Sequence, residues 1–316
     1  MRYSRQEKFI GKEAQNLLNR KTVAVVGLGA LGNTSANLLA RAGVNLVLID
    51  YDKIDLSNLQ RQTIFTEKDI GKNKTDIVKY YLSNVNSGID IKSYNEKLNK
   101  DNINLIKSDL VLDCTDNLEA RFLINDYCCT NKIPFVHAAA IKDKGVVFNV
   151  IPGKACFNCI YKFTGNVERC EDVGVLNTIT NLISSLQVNE ALKILLNKDY
   201  ETNLIRVDLG NNNFEKIKVN KNPNCEICKG NISGKNFELT LCRTGNTLSV
   251  KTDKGLDLEK IKDNFGVLRE GKTSLLVEID DEEVIVDKKG EIIFKTLKDE
   301  TTIMKIAREI YQIGKL

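Results

Sequence analysis

The sequence predicts an α/β chain, a doubly wound and mainly parallel sheet followed by a small C-terminal α+β module. Three observations carry this. Residues 22–26 run without a polar break and are β-branched except at Ala24, the pattern of a parallel strand buried on both faces. That run enters Gly27, Gly29 and Gly32 directly, and a helical stretch and a second apolar strand ending at Asp50 come next. Strands and helices then keep alternating, as in a sheet covered on both faces.

The elements run in order. A helix is expected over residues 33–42, on Leu38 and Leu39, and a strand over 46–49. Next come a helix at 75–85, a strand at 89–93, a helix at 101–107 and a strand at 110–114. A helix at 118–130 and a strand at 134–136 complete a second winding. Strands at 145–150 and 204–209 are separated by a long excursion with a helix at 178–196. Its Ile179, Leu182, Ile183, Leu186, Leu192 and Leu195 keep helical spacing, so that helix faces the core. A polar turn at 211–213 and the cluster 225–234 end the first domain, expected over 1–233. The second domain, 234–316, shows short strands at 237–241, 248–251, 274–279, 283–287 and 291–295, a helix near 256–265 and a last helix at 299–311. At roughly 80 residues it is near the low end of what folds alone. The acidic run at 278–283 reads as a solvated hairpin turn.

Composition excludes several classes. The 316 residues carry 46 Lys+Arg against 42 Asp+Glu, a net charge of +4 that is too weak to imply nucleic acid. Mean hydropathy is −0.23. No apolar run approaches the roughly 20 residues of a bilayer span, and the first residues lack the apolar core of a secretory signal. A cytoplasmic chain with no membrane partner is expected. Nine cysteines should then stay reduced, as metal ligands, a nucleophile or core packing rather than a disulfide framework. With one histidine, any enzyme here works almost without imidazole.

The glycine turn lets a phosphate approach a helix N-terminus, whose free N–H groups and dipole favour an anion. Asp50, at the end of the second strand, is placed to accept from ribose hydroxyls. The residues beyond Asp50 argue against a hydride carrier. Asp52, Ser57, Asn58 and Arg61 lead to Gly71 and Lys74, and Asp113, Asp116 and Asn117 come at a later strand end. Two cations and a carboxylate at the carboxyl edge of a sheet suit a triphosphate and its magnesium. Taken singly, Arg61 or Lys74 reads as a solvated cation and Asp50 as a turn cap.

In these motifs the chain resembles the ThiF/MoeB/ubiquitin-activating superfamily, which uses ATP to adenylate the C-terminal glycine of ubiquitin-like proteins. The Arg2–Gln6 start, the glycine turn, Ser57 to Gln62, Gly71 to Lys74, Asp113 to Asn117, both Cys-x-x-Cys pairs and the stretch from Cys170 occur in family order, over about residues 1–230. The resemblance implies a Rossmann-like domain with nucleotide contacts from Gly27, Gly29, Ala30, Gly32, Asp50, Asp52, Ser57, Asn58, Arg61, Lys74, Asp116 and Asn117. Asp50 would hold the ribose, Asn58, Arg61 and Lys74 would lie along the phosphates, and Asp116 would bind Mg²⁺ near the α-phosphate. Arg5 would reach into the site of the other subunit of a homodimer. Ala30 departs from the family, where many members carry a third glycine; its methyl group is expected to be tolerated. A peptide carboxylate is already ionised at neutral pH, so no general base is needed and the shortage of histidine is no obstacle. His137 is expected to be buried or at a cleft edge, without a part in the chemistry.

Cys156, Cys159, Cys225 and Cys228 are two thiolate pairs at the spacing of tetrahedral zinc sites, separated by a gap that the fold must close. Four thiolates leave no open position, so one structural zinc per chain is expected, pinning the excursion to the end of the first domain. Cys170, beside Arg169, Glu171 and Asp172, stands where relatives that make an acyl intermediate place their thiol. Cys114, Cys128 and Cys129 read as packing, and Cys242 has no assigned role.

These readings converge on an Mg-ATP-dependent homodimeric adenylyltransferase for a ubiquitin-like sulfur carrier ending in Gly-Gly, in molybdopterin, thiamin or tRNA thiolation. A downstream sulfur donor or a conjugating partner is a further expected contact. The alternatives are a ubiquitin-activating-like enzyme that forms a thioester, a tRNA threonylcarbamoyl-adenosine dehydratase and a nucleotide-binding scaffold. The second lacks a basic tract, and the third is disfavoured by Arg61, Lys74 and Asp116. Residues 234–316 read as a dock for carrier or partner, or as a dimer-stabilising appendage. One cysteine without an active-site loop excludes a rhodanese.

Overall fold

The structure is a computed structural model that describes residues 2–161, 174–223, 225, 227–229, 240–244, 247–251, 255–279, 282–296 and 300–314. The chain divides into two compact units, Met1–Ile232 and Ser233–Leu316.

The first unit opens with two short helices, α1 (Ser4–Ile10) and α2 (Lys12–Leu18). Then come β1 (Thr22–Val26), α3 (Ala30–Ala42), β2 (Asn45–Ile49), α4 (Lys74–Val85), β3 (Ile91–Tyr94), β4 (Leu110–Asp113) and α5 (Leu118–Asn131). β5 (Phe135–Ile141), β6 (Lys144–Val150), α6 (Phe157–Tyr161), α7 (Asn177–Leu195), β7 (Leu204–Asp208) and β8 (Asn213–Ile217) complete it. The eight strands form one sheet in the order β3-β2-β1-β4-β5-β6-β7-β8. β3 to β5 pair in parallel, and β6, β7 and β8 add antiparallel. Strand order therefore reverses between β1 and β4, the switch point at which doubly wound sheets bind ligands.

Both faces of the sheet are covered, which is why its strands read as unbroken apolar runs. Alternation along β1 sends Val23 and Val25 to one side, with Leu39, Val78 and Ile183 from the helices α3, α4 and α7. Ala24 and Val26 point to the other, with Ile124, Phe148 and Phe157. Each fully buried Leu, Ile or Phe contributes about 1.5–3 kcal/mol.

Three local expectations are corrected, and two helices occupy a start for which the sequence marks no element. Residues 101–107 form only a 3-10 turn, Ile103–Ile106, because Asn99 and Asn102 side chains bond the neighbouring backbone and compete with a helix. α1 and α2 occupy a start that shows no apolar period. Residues 213–217 are a strand rather than the end of a turn, exposed almost throughout and so without alternation. The helix expected near 256–265 is shorter, and a strand comes after it.

The second unit holds β9 (Thr240–Thr244), β10 (Thr247–Lys251), α8 (Leu258–Lys262), β11 (Gly266–Glu270), β12 (Ser274–Ile279), β13 (Glu282–Asp287), β14 (Glu291–Phe294) and α9 (Glu300–Ile313). Its antiparallel sheet runs β11-β12-β13-β14-β10-β9. Asp257 caps α8 by accepting from the Glu259 and Lys260 amides. On α9, Ile303, Ile306, Ala307 and Ile310 recur at helical spacing and close over Val250, Val277, Val284, Val286, Ile292 and Phe294. The Tyr311 hydroxyl donates to the Gly290 carbonyl, with the Val250 carbonyl 3.3 Å away, so a buried ring keeps its polar end satisfied. No described helix of the chain is long and apolar enough to cross a membrane.

Candidate active site

Three strand ends meet at the switch point. β1 runs into the glycine turn, β2 ends at Asp50 and β4 continues into Cys114–Asn117. The turn is held by its neighbours, with the Gly27 amide on the Ile49 carbonyl at 2.9 Å and the Cys114 amide on the Val26 carbonyl at 3.0 Å. α3 begins at Ala30, so its N-terminal amides open here. At Gly29 an added Cβ would meet only Gln62 Nε2, 4.0 Å away; this backbone leaves open space at the helix start. At Gly32 the same atom would lie 1.7 Å from the Gly27 carbonyl oxygen, so the turn and helix touch with no room for a side chain. Ala30 keeps its methyl group half-buried at the first helical position. An open, amide-lined cradle of this kind fits a nucleotide phosphate.

Asp50 is buried and braces that turn. One carboxylate oxygen accepts from the Leu28 amide at 2.5 Å, the other from the Asp52 amide at 2.7 Å. Burial pushes its carboxyl above the usual range, against the Lys74 charge and these two hydrogen bonds. A carboxylate has about four acceptor positions, so two amides leave capacity for hydroxyls.

Lys74 is 5% exposed at the start of α4, and its Nζ lies 2.8 Å from Asp52 Oδ2. The chain between them folds back on itself, since Ile54 donates to Lys72, Gly71 to Ile54 and Lys74 to Asp52. Asn58 takes part in a capping box, its Oδ1 accepting from the Asp55 amide while Asp55 accepts from the Ser57 amide. Arg61 donates to the Ser57 carbonyl at 3.1 Å. Ser57 is exposed, and Arg5 stands exposed on α1. Asn117 caps α5 by accepting from the Ala120 amide at 2.9 Å, and Asp116 beside it is exposed. The structure thus brings Gly27, Gly29, Ala30, Gly32, Asp50, Asp52, Lys74, Asp116 and Asn117 to the carboxyl ends of β1, β2 and β4. Ser57, Asn58 and Arg61 lie on the excursion between β2 and α4.

Beneath the β4 end lies a polar group that the sequence does not announce. Asp113 and His137 are fully buried, 2.7 Å apart. Burial would raise the Asp113 carboxyl, but the His137 hydrogen bond, with nearby charge and Thr115, holds it below the usual range. Burial, outweighing the same contact, pushes His137 down. At neutral pH a neutral imidazole therefore donates from Nδ1 to a carboxylate. Gln187 of α7 donates to the carbonyls of Asp113 and Val136 and accepts from Ser35 of α3.

The cysteine pairs are brought together. Cys156 Sγ lies 3.9 Å from Cys159 Sγ and 3.6 Å from Cys225 Sγ, and Cys159 Sγ lies 3.6 Å from Cys228 Sγ. All four sulfurs fall within 4.8 Å of one another. Four sulfurs about 2.3 Å from a tetrahedral zinc stand about 3.8 Å apart, so this set can hold a metal such as zinc. Burial pushes the Cys225 thiol up to about 11, so a metal must displace protons to bind. Cys114 and Cys128 are buried in the core, as packing requires, and Cys129 is half-buried. Cys242 lies on β9. Cys170, with Arg169, Glu171 and Asp172, lies outside the described residues, as does most of the acidic run's turn.

The fold and site define a nucleotide-binding α/β enzyme of the Rossmann type. The ThiF family model matches residues 3–227, and the chain belongs to that family. It is similar to the molybdopterin-synthase adenylyltransferase of Escherichia coli K12, 36% identical over 238 residues, covering 72% of this chain and 96% of that one. It is also similar to the SAMP-activating enzyme E1 of Haloferax volcanii, 32% identical over 69% of this chain and 84% of that one. The adenylyltransferase and sulfurtransferase MOCS3 of Aedes aegypti is 37% identical over 73% of this chain, which spans 56% of that longer protein. Among solved structures, Escherichia coli MccB with MccA-N7isoASN superposes with a TM-score of 0.65 at 23% identity, over 72% of this chain and 75% of that one, a likeness of fold. The protein is an adenylyltransferase.

Proposed function

We propose that residues 1–233 form a homodimeric, Mg-ATP-dependent adenylation domain that activates the C-terminal glycine of a small ubiquitin-like sulfur-carrier protein, releasing pyrophosphate. One observation carries this reading: the open glycine cradle, Lys74 and Asp116 converge at one sheet edge, where a triphosphate would lie. Two relatives are named for molybdopterin synthase or sulfur transfer, which favours a sulfur carrier ending in Gly-Gly in molybdopterin, thiamin or tRNA thiolation.

Each residue has a part that its chemistry permits. The α3 amides, Asn58, Arg61 and Lys74 bind and orient the phosphates, and Asp50 takes the ribose on its spare acceptor positions. Lys74 is held by Asp52, which fixes a buried cation without a wandering side chain. Asp116 would hold Mg²⁺, which supplies charge neutralisation at the phosphates, and Arg5 would come from the second subunit. The glycine carboxylate attacks the α-phosphate already ionised, so the site positions and neutralises and removes no proton. The four-cysteine set would hold one structural zinc per chain. Residues 234–316 would dock the carrier, a sulfur donor or a conjugating partner. ATP–pyrophosphate exchange dependent on a Gly-Gly carrier, lost in Asp116→Ala, tests the reading.

The relative named as an E1 favours a second reading, conjugation. In it the Cys170 thiolate attacks the acyl-adenylate carbonyl and AMP leaves, giving a thioester. Alkylation of Cys170 that spares carrier thiocarboxylate formation would exclude it.

A further inference from the structure

Asp116 is exposed, yet the backbone on both sides of it is fixed from below. Asp113, the last residue of β4, sits in register with His137 of β5, and their side chains meet at 2.7 Å. The remaining Asp113 oxygen accepts from the Thr115 amide at 3.1 Å and the Thr115 hydroxyl at 2.7 Å. The Thr115 carbonyl in turn accepts from Arg121 Nε at 3.2 Å and Nη2 at 2.7 Å, from a buried guanidinium on α5. On the far side Asn117 caps α5. Side-chain hydrogen bonds on both sides of residue 116 thus lead back to Asp113, Arg121 or the helix cap.

A buried ionic group is a poor device for stability alone. Removing a carboxylate from water is costly, and a well-packed apolar pair of similar volume is often as stable or more so. Such a group does fix one geometry, because few arrangements satisfy all its lone pairs. Here that geometry belongs to the loop carrying Asp116, and through Gln187 and Ser35 it is tied to the helix that starts at the glycine turn.

We propose that His137 and Asp113 are positioning residues for adenylation, which through Thr115 aim the Asp116 carboxylate at the nucleotide. The proposal rests on the function given above. His137 touches neither nucleotide nor carrier; it keeps Asp113 in the rotamer that grips Thr115.

The test uses the full-length protein with His137→Leu, His137→Asn and Thr115→Val. Asn places an amide N–H where Nδ1 stands, Leu places none, and Val removes only the hydroxyl. Two readouts are measured: hydrogen exchange of the amides of residues 115–117 without nucleotide, and calorimetric ATP affinity with and without Mg²⁺. His137→Leu should lose protection at 115–117 and at least about tenfold of the Mg²⁺-dependent gain in affinity, the order of one lost charge-assisted contact. Thr115→Val should lose part of both, and His137→Asn should restore both. A folded His137→Leu with protection and Mg²⁺ gain intact overturns the proposal. Should that variant not fold, unchanged values in Thr115→Val overturn it equally. A wild-type protein that binds no ATP overturns the adenylation reading instead, and the exchange measurement separates the two failures.

Discussion

Substitution of Gly32 by Ala tests the glycine turn at the point where turn and helix touch. The new methyl carbon would fall 1.7 Å from the Gly27 carbonyl oxygen and 2.8 Å from its carbon, both backbone atoms, and 3.3 Å from Cys114 Cβ. A carbon and a carbonyl oxygen approach no closer than about 3.3 Å, so the turn and α3 must separate by about 1.6 Å. Overpacking of this kind costs about 1–3 kcal/mol, which lowers the melting temperature of a unit this size by roughly 2–12 °C. ATP binding should fall as well, because the α3 amides that would meet the phosphate move with the helix. Gly29→Ala is the control. Its Cβ meets no protein atom nearer than 4.0 Å, so the melting temperature should hold while the methyl group fills the cradle and ATP binding falls. Differential scanning calorimetry and ATP titration of both variants measure this. Gly32→Ala with unchanged melting and affinity would show that turn and helix are not in contact, and Gly29→Ala with unchanged affinity that no phosphate enters the cradle.

Other outcomes come from the same geometry. Because the chain has one histidine, its ring protons report His137 directly. Burial, the larger effect, holds its pKa below the ordinary value of about 6.5, so NMR should show no titration near pH 6.5; a full titration there would contradict the buried neutral imidazole. A depressed folded-state pKa means that the unfolded chain takes up the proton first, so this stability is complete above about pH 6.5 and is lost as pH falls toward the folded value. Asp113, also depressed, adds a loss that begins below about pH 4. His137→Asn should remove the first part of that acid lability in chemical denaturation. Metal analysis should find one zinc per chain, and Cys225→Ser should release it and lower the melting temperature; a full zinc complement in that variant would exclude the four-cysteine site. Lys74→Met should weaken ATP binding at least about tenfold with little change in stability, since it removes a charge-assisted contact and leaves Asp52 half-exposed. Equal affinity would place the triphosphate elsewhere.

Much of the first unit was legible in the sequence because its strands are buried on both faces and its glycine turn joins a strand to a helix. β-branched runs such as residues 22–26 say strand without needing alternation, and Ile179, Ile183 and Leu186 say helix by their period. The two cysteine pairs were legible as ligand pairs, though their meeting depends on the path of the excursion. Elements without an apolar period were not legible. β8 and β11 are almost wholly exposed, and no alternation marks either. The Asp113–His137 contact was hidden for another reason. It depends on β4 lying beside β5 in a register that pairs residue 113 with 137, which no local spacing reveals.

Carrier-dependent adenylation at the β1/β4 switch point, as proposed above, has a direct readout in the return of labelled pyrophosphate to ATP. The measurement is ATP–pyrophosphate exchange by the full-length protein, run against small ubiquitin-like proteins ending in Gly-Gly. Exchange should require one such carrier, need its terminal glycine, and disappear in Asp116→Ala while that variant remains folded. Exchange absent with every carrier, or undiminished in Asp116→Ala, would contradict carrier-dependent adenylation at this site.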